Sequence, residues 1–433
     1  MAEIIPFRGL RYNAERVGRV TDVVSPPYDR VYPHVQEMLY EKSPYNIVRI
    51  IKGKEQPGDG ADQNVYTRAA QTFATWRRDG TLLRDEEPSV YGYHQEYAFG
   101  GERMTRKGVI ALGRLEPEKV HAHERTLRGP KEDRLRLMRA TEANFGHIFM
   151  LYSDAERTAD RVLAAAIVGR APLIEAEDAD GNAHRVWSVT DPATVQAVQR
   201  ALADKDLYIA DGHHRYETAV NYLRECRQKG WTPAAPESFD VRMMTLFNVA
   251  EPGMSIRPIH RMVHGIDGFD PARFLADAAE HFVIDRCNGF DKMRAATEQG
   301  RGRHTFGVAW MDGFATLRLR DEAVMEVLLP GEWSSDYRRL DVSVLHAAIL
   351  DRLLGIDAQA LEEQRNITYT VDPAEGVESV LQGREQLFFH VNATSADEVI
   401  RVADHGEKMP QKSTDFYPKL LTGLVMTAME IRR

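Results

Sequence analysis

Residues 207–215 of this 433-residue chain read LYIADGHHR. Its first four residues, Leu207 to Ala210, form a short apolar run of the kind that builds a buried strand. Four residues at helical spacing follow, namely Tyr216, Ala219, Leu223 and Cys226. They predict one face of a helix that ends near Gly230. The sequence therefore places Asp211 and Gly212 in a turn between a strand and a helix.

The residue types of this turn favour phosphate binding. A helix N-terminus presents unpaired N–H groups, and a glycine before it lets a phosphate approach the backbone. Two imidazoles and a guanidinium, from His213, His214 and Arg215, add donors for oxyanions. Asp211 is expected either to cap the helix or to bind a metal ion. The alternative is an ordinary aspartate cap followed by surface histidines.

A second group of polar residues starts at His121 and leads into a predicted helix. Residues 123–139 contain six Lys or Arg and three acids in a chain whose formal net charge is −9, which predicts a local anion-binding patch. Glu124 is placed to act as general base toward a hydroxyl. Four further residues are predicted anion or substrate contacts, namely His123, Thr126, Lys131 and Arg134. The alternative is a solvated loop before an amphipathic helix with paired charges.

Two other segments contribute candidate residues. GEKMPQKST, residues 406–414, looks superficially like a P-loop, but Gln411 replaces the second glycine and a proline interrupts the run. We reject that motif and keep Lys412 and Ser413 as anion contacts, with a plain polar loop as the alternative. The stiff SPPYD segment, residues 25–29, is by default a rigid turn, and it could position Tyr28 at a pocket edge.

The histidines also permit a metal-site hypothesis. Neutral imidazoles are good zinc ligands, and the chain offers four of them in these segments, namely His121, His123, His213 and His214. Neighbouring histidines rarely ligate one tetrahedral ion together, which makes this reading the weaker one. It would make the protein a metal-dependent hydrolase.

Composition narrows the class of protein. The net charge of −9 argues against a large nucleic-acid interface, because duplex binding depends on many Lys and Arg contacts. The sequence has no run of eighteen apolar residues and no secretory signal, and it has only two cysteines. These features predict a cytoplasmic protein without a membrane partner. No motif for haem, flavin or NAD is present.

The organisation of the chain predicts a mixed architecture. Residues 1–108 read as an N-terminal α/β segment packed on the core, 109–250 as the core, and 251–433 as a C-terminal α+β domain. Alternating runs around Gly100 and Gly101 predict a hairpin. The apolar run from Ile47 to Ile51 is expected to be a strand.

Motifs along nearly the whole chain resemble those of a large bacterial and archaeal family of unknown function. The matching segments are VSPPYD at 24–29, HERT at 123–126, GPKEDRL at 129–135, ADGHHR at 210–215 and MPQKST at 409–414. Taken together they are specific enough to identify the chain as a member. The resemblance implies no settled activity.

A more distant resemblance covers about residues 109–229. The order of a strand, a His-Glu loop, a helix and a later strand ending in Asp-Gly-His-His-Arg is similar to the ParB/sulfiredoxin fold, and most of all to its free serine kinases. That resemblance implies that Glu124 is the base toward a serine hydroxyl. It also implies that Asp211 to Arg215 bind nucleotide phosphates, with magnesium between those phosphates and an acid.

The sequence thus predicts an α/β protein with a ParB/sulfiredoxin-like core that is a nucleotide-dependent phosphotransferase. The nucleotide would be ATP, ADP or CTP with Mg²⁺, and the acceptor a small hydroxyl metabolite, with free serine or phosphoserine first. Glu124, His213 and His214 would be catalytic. The alternatives are a ParB-like switch that binds and hydrolyses a nucleotide, and the metal-dependent hydrolase. The assembly state stays open, with a homodimer among the options.

Overall fold

The structure is a computed structural model that describes residues 3–124 and 128–433. The chain forms two compact units. The first comprises Met1–Ser255 together with Pro418–Arg433, and the second comprises Ile256–Tyr417. No helix within the described ranges has both the length and the apolar character that crossing a bilayer requires.

A nine-stranded mixed sheet forms the centre of the first unit. In chain order its strands are β1 (Ile4–Ile5), β2 (Val90–Phe99), β3 (Glu102–Arg114), β4 (Val120–Ala122), β5 (Ile148–Tyr152), β6 (Ile174–Glu177), β7 (Ala183–Val189), β8 (Leu207–Asp211) and β9 (Val241–Asn248). Their spatial order is β4-β8-β5-β9-β3-β2-β7-β6, with β1 paired to β3. The pairs β4/β8 and β5/β9 are parallel and the others antiparallel.

The central strands are buried on both faces. Every residue of β5 and of β9 is buried, which explains why these strands read as nearly continuous apolar runs. The hairpin predicted around Gly100 and Gly101 is confirmed, because β2 and β3 pair from Tyr91 opposite Ile110 to Phe99 opposite Glu102.

The first unit also contains helices. The longer ones are α1 (Pro33–Lys42), α2 (Val65–Arg78), α3 (Arg128–Thr141), α4 (Thr158–Ile167), α5 (Pro192–Leu202) and α6 (His213–Gln228). The predicted helix after the turn is confirmed as α6. The four residues that mark its apolar face are all buried, namely Tyr216, Ala219, Leu223 and Cys226.

The predicted strand from Ile47 to Ile51 is wrong. Val48–Ile51 is a short helix whose residues Val48, Ile50 and Ile51 are buried. The side-chain oxygen of Asn46 accepts from the N–H of Val48 at 2.9 Å and starts the helical turn. The apolar run indicated burial correctly, but this local hydrogen bond decides the backbone conformation.

The C-terminal residues return to the first unit. Thr427–Ala428 pairs with Ala143–Asn144, and Ile431–Arg432 pairs with Thr232–Pro233. The sequence does not predict this connection, because a two-residue pairing carries no periodic signal.

The second unit contains a six-stranded antiparallel sheet. Its strands are β10 (His260–Val263), β11 (Phe282–Cys287), β12 (Thr305–Trp310), β13 (Gly313–Leu319), β14 (Ile367–Thr370) and β15 (Leu387–His390), in the spatial order β11-β13-β12-β15-β10-β14. The longer helices are α7 (Pro271–Ala278), α8 (Phe290–Gln299), α9 (Pro373–Leu381) and α10 (Ala396–Asp404). A helical segment at 341–354 includes a π-helix, Leu345–Asp351. The prediction of a mixed α/β and α+β chain is confirmed.

Candidate functional site

Sheet topology brings the two predicted motifs together. Strands β4 and β8 are parallel neighbours, with Ala122 opposite Ile209. Because the carboxyl ends of parallel strands meet at one edge of a sheet, the residues that follow each strand converge there. His123 and Glu124 follow β4, whereas Gly212 and His213 follow β8.

Gly212 forms the turn between β8 and α6. Its φ of 99° and ψ of 24° lie in the left-handed region, which glycine adopts at little cost. A Cβ at this position would lie 3.0 Å from Nη2 of Arg215. Since α6 begins at His213, the N–H groups of its first turn and the positive end of its dipole lie at the same sheet edge as Glu124.

Asp211 is held between two cations. Its Oδ2 accepts from Nη2 of Arg215 at 2.7 Å, and its Oδ1 accepts from Nζ of Lys419 at 3.2 Å. Burial would raise the pKa of Asp211, but the charges of Lys419 and Arg215 outweigh it and hold the pKa well below its ordinary value. Nη1 of Arg215 donates to the carbonyl oxygen of His147. Asp211 is therefore a carboxylate anion that binds Arg215 and Lys419 at the turn.

Glu124 and His213 form the contact across the sheet edge. Oε2 of Glu124 lies 3.5 Å from Nδ1 of His213. The His213 side chain is 3% exposed whereas that of Glu124 is 42% exposed, so the carboxylate is accessible to a ligand. The rings of His123 and His213 meet edge to face, with centroids 4.6 Å apart.

His123 supports this contact as a neutral group. Burial lowers the pKa of His123 to about 4, although its hydrogen bond to the backbone of Ile209 and the charge of Asp211 act in the opposite direction. At neutral pH its imidazole therefore carries no charge. It can orient His213 and donate a hydrogen bond, but it contributes no positive charge to the site.

His214 faces a different set of neighbours. It is half-buried, and burial lowers its pKa, while the charges of Asp29 and Glu217 act to raise it. Its carbonyl oxygen accepts from Oγ1 of Thr218 at 2.7 Å. Nζ of Lys131 lies 2.9 Å from Oε2 of Glu217, so this predicted anion contact is engaged in an ion pair.

Tyr28 and Arg134 lie together. The guanidinium carbon of Arg134 is 4.1 Å from the centroid of the Tyr28 ring, a cation–π contact. Nε of Arg134 also donates to Oδ2 of Asp133 at 2.8 Å. Burial, followed by the charge of Asp29, raises the pKa of Tyr28 to about 12.

Three predicted residues remain, namely Thr126, Lys412 and Ser413. Thr126 is outside the described residues. Lys412 and Ser413 belong to the second unit. There the carbonyl oxygen of Lys412 accepts from Nη2 of Arg261 at 3.0 Å, and the Ser413 hydroxyl donates to the carbonyl oxygen of Pro410.

The sequence analysis missed two residues that contact the turn, Lys419 and His147, and a third residue, Arg242, that lines the same cleft as Arg215. Arg242 carries the one available signal, because it is the single charged residue of the buried, mostly apolar strand β9. His147 precedes an apolar strand and Lys419 follows a proline, and neither pattern indicates a contact with residue 211 or 215.

The histidines do not assemble a metal site. Within residues 3–124 and 128–433, no group of three His, Cys, Asp or Glu side chains is arranged to hold a metal ion. His121 instead stacks on Tyr208, with ring centroids 4.9 Å apart, and its Nε2 lies 4.0 Å from Asp206. The zinc alternative therefore gains no support from these residues.

Comparison with known proteins identifies a family and distant structural neighbours. The family described as "Protein of unknown function (DUF1015)" matches residues 4–343. No curated protein matches the chain.

Solved structures with a similar fold include three that are described as follows. A conserved hypothetical protein from Pyrococcus furiosus has a TM-score of 0.33 and 13% identity, covering 72% of this chain and 93% of that one. A free serine kinase in complex with AMP has a TM-score of 0.36 and 12% identity, covering 74% and 91%. SbnI with a C-terminal truncation, from Staphylococcus aureus, has a TM-score of 0.34 and 11% identity, covering 72% and 85%.

Proposed function

Because the chain belongs to the DUF1015 family of unknown function, its activity has to be inferred from its own site, and we propose that it is a nucleotide-dependent phosphotransferase acting on a small hydroxyl metabolite. The observation that carries the proposal is the contact between Glu124 and His213 at the sheet edge where α6 begins. An accessible carboxylate and a helix N-terminus there supply a base and an anion site side by side.

The turn is suited to nucleotide phosphates. The left-handed Gly212 lets a phosphate approach the backbone, and the first turn of α6 offers N–H donors at the positive end of the helix dipole. Asp211 is already neutralised by Arg215 and Lys419, so it does not repel an incoming phosphate as an unpaired carboxylate would.

Glu124 acts as the general base. It accepts the proton of the acceptor hydroxyl while the hydroxyl oxygen forms a bond to the terminal phosphorus and the bond from that phosphorus to the leaving nucleotide oxygen breaks. His213, buried behind Glu124, positions the carboxylate, and His123 packs on His213 from the side. His214 donates toward the transferred phosphoryl group.

Magnesium would neutralise the nucleotide phosphates during transfer. Asp211 is its predicted protein ligand, yet both carboxylate oxygens of Asp211 are engaged by Arg215 and Lys419. We therefore expect the ion to be bound chiefly through the nucleotide, with Asp211 contributing only where one of these cations is displaced.

A binding screen tests the first half of the proposal. The melting temperature of the full chain is measured with ATP, ADP and CTP, each with magnesium. The protein is then incubated with any stabilising nucleotide and with free serine or phosphoserine, and phosphorus NMR follows the phosphorylated products. We expect one nucleotide to raise the melting temperature and a new phosphomonoester signal to appear. If no nucleotide stabilises the chain, the proposal is wrong. Hydrolysis of the nucleotide without transfer to any hydroxyl compound would instead favour the ParB-like switch.

A variant pair tests the base. In Glu124→Gln the carboxylate is lost with little change of shape, and we expect transfer to fall by about 10²–10⁴-fold while nucleotide binding is retained. Glu118→Gln makes the same chemical change at an exposed position of the preceding loop and should transfer normally. Equal transfer rates in the two variants would remove Glu124 from the mechanism.

A further inference from the structure

A small cleft lies in the first unit beside Arg215. We refer to it as the Arg242 cleft. Its polar lining comes from Tyr28, Arg134, Gly146, Arg215, Thr218, Arg242 and Thr422. Its apolar lining comes from Ile51, Leu137, Met138, Ala143 and Phe145. The phosphotransferase proposal assigns this cleft no role.

Three guanidinium groups line the Arg242 cleft, and no acidic residue is among the lining residues. Two of the three have carboxylate partners just outside the lining, since Arg134 binds Asp133 and Arg215 binds Asp211. The third, Arg242, pairs with no carboxylate in the described part of the chain. The cleft therefore carries an excess of positive charge.

Arg242 is 5% exposed and incompletely bonded. Its Nη2 donates to the carbonyl oxygen of Gly146 at 3.1 Å, whereas its Nε and Nη1 have no hydrogen-bond partner among the described residues. Burial, with the nearby charge of Arg215, lowers the pKa of Arg242 to about 9. The guanidinium is thus still protonated at neutral pH. A buried charge with two unsatisfied hydrogen-bond donors lowers the stability of the fold unless an anion pairs with it.

His147 does not supply the missing negative charge. Its Nε2 donates to the carbonyl oxygen of Val425 at 3.0 Å, so its Nδ1 accepts from the hydroxyl of Thr245 at 2.7 Å in the neutral tautomer. Both ring nitrogens are occupied, and the imidazole is uncharged.

We propose that the Arg242 cleft binds a small organic carboxylate with a short apolar body. The guanidinium of Arg242, which has no carboxylate partner among the described residues, supplies the positive charge and the N–H donors that a carboxylate needs. The apolar half of the lining, led by Phe145 and Met138, accommodates carbon rather than further charge. A zwitterionic amino acid fits less well, because its ammonium group would stand among three guanidiniums with no acid in the lining. The inference stands without the phosphotransferase proposal, since no nucleotide takes part.

Three matched probes test this chemistry on the full chain. Isovalerate carries a carboxylate on a short branched body, isovaleramide replaces the carboxylate by a neutral amide, and valine adds an ammonium group. Titration calorimetry or ligand-observed NMR measures binding of each, with inorganic phosphate as an anion that lacks an apolar body. We expect isovalerate to bind at least about tenfold more tightly than each of the other three. Isovaleramide loses the charged hydrogen bond, valine brings an ammonium group among the guanidiniums, and phosphate has no carbon to pack on the apolar lining.

Variants locate the site. Arg242→Met removes the guanidinium that lacks a carboxylate partner and should weaken isovalerate binding by about 10–100-fold. Arg134→Met, which also changes the lining, should weaken it severalfold and serves as the second test if Arg242→Met does not fold. Arg139→Met, on the same helix as Arg134 but paired with Glu225 outside the lining, should bind as the unchanged protein does. Absence of isovalerate binding, or equal binding of valine, or undiminished binding by the folded Arg242→Met and Arg134→Met variants, would overturn the proposal.

Discussion

Lys419 donates from Nζ to Oδ1 of Asp211 at 3.2 Å, although 208 positions separate the two residues in the sequence. The C-terminal segment thereby reaches the end of β8 and completes the charge balance of the turn. Because Arg215 binds the other oxygen of the same carboxylate, Asp211 is stabilised from both sides. The turn that begins α6 therefore depends on a residue close to the end of the chain.

Removing the Lys419 charge should destabilise the first unit. Lys419→Met leaves the half-buried carboxylate of Asp211 with Arg215 as its one ion-pair partner, and we expect the free energy of unfolding to fall by about 1–3 kcal/mol. Urea denaturation measures this. Lys52→Met, a change at an exposed lysine, should leave the midpoint unchanged. Equal midpoints for the two variants would show that the ion pair has no net stabilising effect.

Gly212 should be irreplaceable for two separable reasons. Gly212→Ala requires a left-handed alanine, at about 1–2 kcal/mol, and it also places a Cβ 3.0 Å from Nη2 of Arg215, which is bonded to Asp211. Gly100→Ala tests the first cost alone, since Gly100 has a φ of 59° and open space around it. We expect Gly212→Ala to lower the free energy of unfolding more than Gly100→Ala does. Equal losses of unfolding free energy in the two variants would mean that the Arg215 side chain moves aside without cost.

The local parts of the candidate site could be predicted from the sequence. The apolar run before Asp211 and the helical spacing after it gave the order of strand, turn and helix, because both signals lie within adjacent residues. The proximity of Glu124 to His213 followed from a resemblance rather than from periodicity. In the structure it arises because β4 and β8 are parallel neighbours.

The long-range contacts could not be predicted in the same way. Lys419 reaches the turn through the return of the C-terminal residues, and nothing in the sequence around it indicates that contact. Arg242 stands out as a charge within a strand, but its place beside Arg215 depends on the pairing of β5 with β9. The run from Ile47 to Ile51 shows the converse, since its pattern indicates burial correctly, whereas the helical turn begins where the Asn46 side chain accepts from the N–H of Val48.

His147 should make the first unit sensitive to acid. Burial, assisted by the charges of Arg215 and Arg242, lowers the pKa of His147 to about 4. An unfolded histidine titrates near its ordinary value of about 6.5. Between these two values the unfolded chain binds a proton that the folded chain does not, so stability is full above the upper value and is lost progressively as the pH falls toward the lower one. The loss approaches about 3 kcal/mol.

The variant His147→Gln tests whether His147 causes this loss of stability at low pH. His147→Gln keeps a donor for the carbonyl oxygen of Val425 but has no proton to gain. We expect it to be less stable than the unchanged protein at about pH 7 and to lose less stability between about pH 7 and about pH 5, as measured by urea midpoints. His34→Gln, at an exposed histidine, should keep the original pH dependence. A parallel pH dependence for His147→Gln would exclude this origin of acid sensitivity.

Tyr28 should act through its ring and not through proton transfer. Its pKa, raised to about 12 by burial and by Asp29, keeps the hydroxyl protonated at neutral pH, while its ring lies 4.1 Å from the guanidinium carbon of Arg134. Tyr28→Phe retains that cation–π contact, whereas Tyr28→Ala loses it and exposes the apolar wall of the Arg242 cleft. We expect Tyr28→Phe to change the free energy of unfolding by less than about 1 kcal/mol, and Tyr28→Ala to lower it by about 1–3 kcal/mol. Isovalerate titrations should rank the two variants in the same order. If instead Tyr28→Phe loses transfer activity as completely as Tyr28→Ala while both remain folded, the hydroxyl takes part in the chemistry and the ring-only role is wrong.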